Sequence, residues 1–489
     1  MNRPLLSFVN RPFIRAVNCP CIKGVFPVLI FLFLSGCGGY AATAEPIRTA
    51  LSAGRPEKGL QKVNEALDVE SEKEVPDDIE EETALLLCER GTILHGLENF
   101  DFSSRDYELA EKHLELLDLQ NDTAGDIGKW LFSDDATVYK APAYEKLLLN
   151  TMNMLNYLAR SDLEGARVEA RRMTTIQKYL DNEESEQASL IGLGSYLAGF
   201  TFEMSGRAED AMRYYDEALK YDDYPTLYLA VKSLADQTGY RTKRIDAVLK
   251  KMNWQQAPPA SAETAPESAE SEKPAKGTLL VISETGLVPH KEAMRIPIGA
   301  ALVIAAHVVH GPGLTGPNRS KANRLAAKGL LKWINFPVLK NTRHSFSNAT
   351  VGVDGEKIHT DLGLNVAQKV KQAWDSIKGT LMVAAIVRMI ARALIAEGTE
   401  AAGKGAGAGG VGGLLMGLAV EGALTAADTP DTRSWVTLPA KIFVTRAEMV
   451  PGEHTVTIIL SGKGGTKTIT KKINMPAGGF VVLPVSALR

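Results

Sequence analysis

SYLAGFTFEMSGRAEDAMRYYDEALKYDDYPTLY, residues Ser195–Tyr228, decides how the first half of the chain folds. Apolar residues recur at three- and four-residue spacing on both sides of Gly206, which predicts two helices with the glycine ending the first. Gly199 and Ala211 are small where two crossing helices must come close, Phe202 and Tyr215 are large enough to fill the space between them, and Ala218 keeps the second helix narrow. Pro225 stops that second helix, because it has no N–H to give and its ring clashes with the preceding turn.

This 34-residue unit resembles the tetratricopeptide repeat, a helix-turn-helix that stacks on its neighbours to bury a continuous core. A weaker copy spans Met154–Met173, with Tyr157, Ala166, Ala170 and Met173. A third includes Gly91, Ala110, Leu114 and Leu117 and is expected to need an insertion around Phe100–Ser104. The helical pattern extends over residues 45–253. Such an array leaves a concave groove. Asn153, Asn156 and Ser195, polar positions on otherwise apolar helices, are expected to be exposed there and to bind an extended peptide of a partner.

Upstream of the helices, Arg3, Arg11, Arg15 and Lys23 precede an apolar run, Val25–Leu34. That run is too short for the roughly 20 residues of a membrane span. A basic segment followed by a short apolar one is the pattern of a secretory signal. Leu34-Ser35-Gly36-Cys37 resembles the lipobox of bacterial lipoproteins, which implies cleavage after residue 36 and acylation of Cys37. Gly38 and Gly39 follow without an aspartate, which favours the outer membrane under that family's sorting rules. Residues 37–44 are then expected to be a lipidated tether. The other cysteine of the mature chain, Cys88, lies in an apolar helical run and reads as a buried core thiol.

Downstream, residues 254–276 turn abruptly to Pro, Ala, Ser and Glu, a composition that cannot bury a core and marks a disordered linker. Residues 277–489 read as an α+β domain. A strand is expected over Thr278–Ser283, a helix over Lys321–Ile334 and a long helix over Thr360–Glu397. Residues 403–424 are a Gly/Ala-rich segment, read as a packed or mobile hairpin. Lys441–Arg446, His454–Leu460, Thr466–Ile473 and Phe480–Val485 alternate as strands and are expected to form an antiparallel β module over 436–489. The fold class is therefore multidomain: an all-α repeat array, then an α+β part ending in antiparallel β.

Chemistry leaves few marks. His307-x-x-His310 lacks the glutamate of a zinc protease motif, Lys463–Thr468 lacks the glycine spacing of a phosphate loop, and there is no Gly-x-Ser-x-Gly elbow. No catalytic residue, metal ligand or cofactor is assigned. Removing residues 1–36, with their four cations and no acid, leaves 453 residues and takes the formal charge from −3 to −7. That balance does not point to nucleic acid or an anionic surface. Asp431-Thr432-Arg433-Ser434-Trp435 is the one polar cluster that stands out. Arg433 beside the aspartate can pin a junction, or Arg433 and Trp435 can anchor a partner.

Four stretches together resemble a family of Gram-negative envelope lipoproteins with N-terminal tetratricopeptide-like repeats: Tyr144-Glu145-Lys146; Leu163–Glu169 with Arg171-Arg172; Gly286-x-x-Pro289-x-Lys291-Glu292; and Ala427–Ala440. The resemblance brings no activity, ligand or binding residue with it. The expected function is a non-enzymatic adaptor at the periplasmic face of the outer membrane, holding an envelope protein through its repeats. A cell-wall or polysaccharide-acting enzyme and a component of an oligomeric envelope assembly or secretion complex are the alternatives. Partner identity and oligomeric state stay open.

Overall fold

The structure is a computed structural model, and it describes residues 40–116, 139–181, 191–252, 275–308, 313–405 and 430–489. Cys37, the linker up to residue 274, His310 and most of the Gly/Ala-rich segment lie outside the described residues. Residues Gly39–Arg489 form one compact unit.

Among the described residues ten α-helices come first: α1 (Tyr40–Ser52), α2 (Pro56–Ala66), α3 (Glu81–Gly96), α4 (Phe100–His113), α5 (Ala143–Ala159), α6 (Leu163–Asp181), α7 (Ile191–Met204), α8 (Ala208–Tyr221), α9 (Tyr228–Thr238) and α10 (Lys243–Lys251). A short parallel pair, β1 (Glu115–Leu116) and β2 (Lys140–Ala141), lies between α4 and α5. The first surprise is at the start. Tyr40 already begins α1 and is buried, so the expected tether over 37–44 is no longer than its first three residues.

Helix pairs α3–α4 and α7–α8 close on the same small-against-large contact. A Cβ at Gly199 would lie 2.4 Å from Tyr215 Cδ1, and one at Gly91 would lie 2.6 Å from Tyr107 Cε1. Real side chains do not approach so closely, so the glycines set the distance between the helices. The register matches residue for residue: Gly91, Ser103, Tyr107 and Ala110 stand at the spacing of Gly199, Ala211, Tyr215 and Ala218. The insertion expected around Phe100–Ser104 is therefore absent. Ser103 takes the place of an alanine and donates its hydroxyl to Gly91 O at 2.7 Å. At the same register in α5–α6 the sizes are exchanged, with Met154 and Ala170 both buried.

Among its described residues the second half contains ten strands: β3 (Gly277–Leu287), β4 (His290–Pro297), β5 (Trp333–Lys340), β6 (Asn348–Val353), β7 (Glu356–Ile358), β8 (Thr360–Leu364), β9 (Pro439–Met449), β10 (Gly452–Gly462), β11 (Gly465–Met475) and β12 (Phe480–Ala487). Three helices, α11 (Ile298–Ile304), α12 (Gly316–Ala327) and α13 (Val366–Gly405), lie among them. Strand β3 is buried on both faces. Leu279 and Val281 point into a core shared with β6, β10 and β11, while Leu280 and Ile282 point into the core of the helices, the alternation a pleated strand imposes.

The result is three layers: helices, a sheet of order β12-β3-β9-β8, and a second sheet of order β11-β10-β6-β7. One hydrophobic core joins the helices to the first sheet, running from Tyr40 and Leu85 through Phe200 to Ile442, Val444 and Val482. The strands after Leu438 do not form a module of their own. β9 and β12 flank β3, with β12 parallel to it, while β10 pairs with β6 and β11 pairs with β10. Thr360–Leu364, expected to open the long helix, is instead an edge strand on β9. The helix expected over Lys321–Ile334 ends at Ala327, and its last residues enter β5. The antiparallel pair β4–β5 and helices α11–α13 close around a separate small core.

Candidate functional site

The densest polar site lies where residues 431–438 enter the helical layer. Glu89 occupies the middle of α3 after Leu85-Leu86-Leu87-Cys88 and is fully buried. It accepts the backbone N–H of Val436 and of Thr437, each at 2.8 Å, and the Tyr40 hydroxyl at 2.7 Å. Glu145, near the start of α5, accepts the backbone N–H of Trp435 at 2.9 Å and the hydroxyls of Tyr139 at 2.5 Å and Tyr144 at 3.2 Å. Two carboxylates thus hold three consecutive amides of an extended segment.

The side chains of that segment are held as well. Trp435 is buried, its Nε1–H reaching Thr92 Oγ1 at 3.0 Å and Thr437 Oγ1 at 3.2 Å, with its ring 5.6 Å from that of Tyr107. Arg433 donates Nε and Nη2 to the two oxygens of Asp431 at 2.9 and 3.1 Å and lies over the Tyr139 ring. Its carbonyl accepts the Lys291 ammonium at 2.8 Å. Ala41 N–H donates to Thr432 Oγ1. Arg433 and Trp435 are therefore covered by the chain's own helices and are not the exposed partner anchors considered above. An extended segment passing through a helical layer leaves its amides without sheet partners, and buried amides need acceptors; the carboxylates supply them.

Burial pushes the Glu89 carboxyl up to about 7, against the pull of its donors Thr437, Tyr40 and Val436. Burial also raises Glu145, opposed by Tyr139 and Trp435. A pair of raised carboxyls is the kind of group a general acid–base enzyme uses. Here each is surrounded by donors from its own chain, and that arrangement binds backbone. Close by, His95 on α3 contacts Glu284 of β3 at 3.2 Å and Asn156 at 2.6 Å. Burial works against a charge on His95, but Glu284 and Asn156 outweigh it and the imidazole is raised. Ser486 donates to the same Glu284. Further along, Arg446 of β9 forks onto Glu203 of α7, a second ion pair between helices and sheet.

The three polar positions expected to line an open groove are buried. Asn153 donates to Glu169 at 3.2 Å, Asn156 donates to Ser103 at 2.8 Å, and the Ser195 hydroxyl finds no hydrogen-bond partner among the described residues. The physical reason is the shared core: the face they stand on is covered by neighbouring helices and by the first sheet. Gly199, Phe202, Ala211, Tyr215 and Ala218 are buried at the α7–α8 contact, with Phe202 stacked on Tyr214. Cys88 is a free, buried thiol, raised by burial. Among the described residues no group of three or more His, Cys, Asp or Glu could hold a metal ion.

Sequence reasoning missed Glu89, Tyr40 and Tyr139. A glutamate inside a leucine run was the signal for Glu89. Three of the four stretches of resemblance meet here, since Glu145 holds Trp435 and Lys291 holds the Arg433 carbonyl; in the fourth, Glu169 pairs with Arg172 of its own helix. Compared with known proteins, the chain matches no family model and has no significant match among curated proteins.

Proposed function

We propose that the chain is a lipid-anchored scaffold of the outer membrane, facing the periplasm, which binds an envelope protein without catalysing a reaction. The observation that carries this reading is the clamp: the strongest buried polar groups are occupied in joining the chain's own segments, as a rigid support requires. Acylation of Cys37 would complete it. The helices are read as divergent tetratricopeptide-like repeats, supported by the recurring Gly–Tyr register of α3–α4 and α7–α8.

Because the inward face of the array is filled, the partner is assigned to its outward face. There Val168 on α6 and Leu229 on α9 stand 42% and 64% exposed. Two measurements test the reading. Fatty-acid labelling should vanish in Cys37→Ser, and crosslinking in intact envelopes should give a discrete adduct that Val168→Asp with Leu229→Asp removes. Continued labelling of the serine variant refutes the anchor, and an unchanged adduct refutes the surface.

A further inference from the structure

We propose that the outward face of the second sheet, built by β6, β10 and β11, is a docking surface for a second copy of this chain. The inward face is filled: Val351, Val456, Ile458 and Leu460 lie in the core between the sheets. Successive side chains of a strand point to opposite faces, so the residues between these form the outward one. The register places them on a single surface. Ile459 stands opposite Thr468 of β11 on one side and Thr350 of β6 on the other, and Thr457 stands opposite Thr470 and Gly352. One row further along, Ser461 stands opposite Thr466 and Asn348.

Strand preference accounts for threonine at such positions. It does not account for the lack of charge. None of these positions is acidic, basic or aromatic, although 23% of the chain is charged. Charges stand at the margin instead: Lys472 lies opposite Thr455 in the next row, and Lys357 of β7 lies opposite Gly352. An uncharged centre within a charged margin is the layout of a protein interface. Ile459 is at that centre and 38% exposed.

Three properties select a second copy as the occupant. A hydroxyl both donates and accepts, so a face of threonines meets its own copy with no like charge and no donor lacking an acceptor. Edge-to-edge association through the same sheet is opposed, because Lys467 and Lys472 lie on its edge strand β11, and lysines on an edge discourage a further strand. The area is also sufficient. Strands about 4.8 Å apart and rows about 6.8 Å apart give a footprint of about 500 Å² over four strands and four rows. Two copies stacked face to face then bury about 1,000 Å², the lower limit of a specific interface and the size of a weak dimer. A glycan strand would find hydroxyls on this face but no aromatic ring to stack on.

The test uses the compact unit Gly39–Arg489, which has no acyl chain, so its outcome is independent of Cys37 and of the envelope partner. Sedimentation velocity at rising protein concentration should show a monomer passing into a dimer. Ile459→Lys and Thr468→Lys each set like charges against one another at the centre of the face and should weaken the dimer about a hundredfold. Circular dichroism checks that each variant is folded; Thr468 is exposed on the edge strand, so its variant carries the test if Ile459→Lys is unstable. Leu229→Asp, on a helix of the other layer, should leave the dimer unchanged. A dimer that both folded face variants retain, or one that Leu229→Asp abolishes, would overturn the proposal. So would a monomer at every concentration, whether or not its threonine face binds an insoluble glycan.

Discussion

The clamp around residues 431–438 and the lobe built from β4, β5, α11 and α12 are opposites. The clamp gathers acids, tyrosines and a tryptophan, all facing inward and bonded to one another. The lobe has a small core of alanine, leucine, isoleucine and methionine with Phe336 and Trp374, and its lysines and arginines stand outside it. By residue type alone, Asp431–Trp435 looks like a recognition motif. Burial takes that role from it. A polar group enclosed with its partners stabilises a junction, whereas an exposed one can meet something else.

The comparison predicts a graded set of effects on stability. The largest falls on Glu89. Glu89→Ala leaves two amides and the Tyr40 hydroxyl buried without an acceptor, at a cost of about 3–5 kcal/mol in a denaturant midpoint experiment. A loss under about 1 kcal/mol would mean that the junction is not clamped as described. Trp435→Ala should cost about 3–5 kcal/mol by opening a cavity, and Trp435→Phe only about 1 kcal/mol, for the bond to Thr92. Gly199→Ala places a methyl group against Tyr215 and should cost about 1–3 kcal/mol. The smallest effect belongs to the lobe: Lys332→Gln should change stability by no more than about 0.5 kcal/mol, as exposed substitutions do. If the lobe variant were as damaging as Trp435→Phe, the contrast between the regions would fail.

The pH dependence sharpens the same contrast. Glu89 is raised from 4.5 to about 7 by burial, so between those values the folded chain holds a proton that the unfolded chain has released. Stability should therefore fall as pH rises from about 4.5 to 7. His95 acts in the same direction: its raised affinity stabilises the fold at low pH and is lost as pH passes the folded value. Glu89→Gln should flatten the slope, which midpoints measured from pH 4.5 to 8 will show. A slope unchanged by the substitution would remove Glu89 as its source.

The local half of this structure was legible in the sequence. Helix spacing, the small-large alternation of Ser195–Tyr228 and the last four strands appear in the chain at short range, and the structure keeps them with lengthened ends. What the sequence concealed is long-range. Glu89 and Val436 are 347 residues apart, and no local pattern pairs them. Thr360–Leu364 runs into the helix with only Asn365 between them, and its pairing with β9 identifies it as a strand. Asn153 and Asn156 look like groove residues on one helix, and only the packing of its neighbours shows that they are enclosed.

Helices and first sheet share one core, although a Pro/Ala/Ser/Glu-rich stretch separates them in sequence. Cleavage within residues 253–274, followed by gel filtration and denaturant unfolding, tests it most directly. The two pieces should co-elute and unfold together in one transition, at a midpoint that Glu89→Ala lowers. Separation into two pieces that each remain folded and unfold independently would contradict the account.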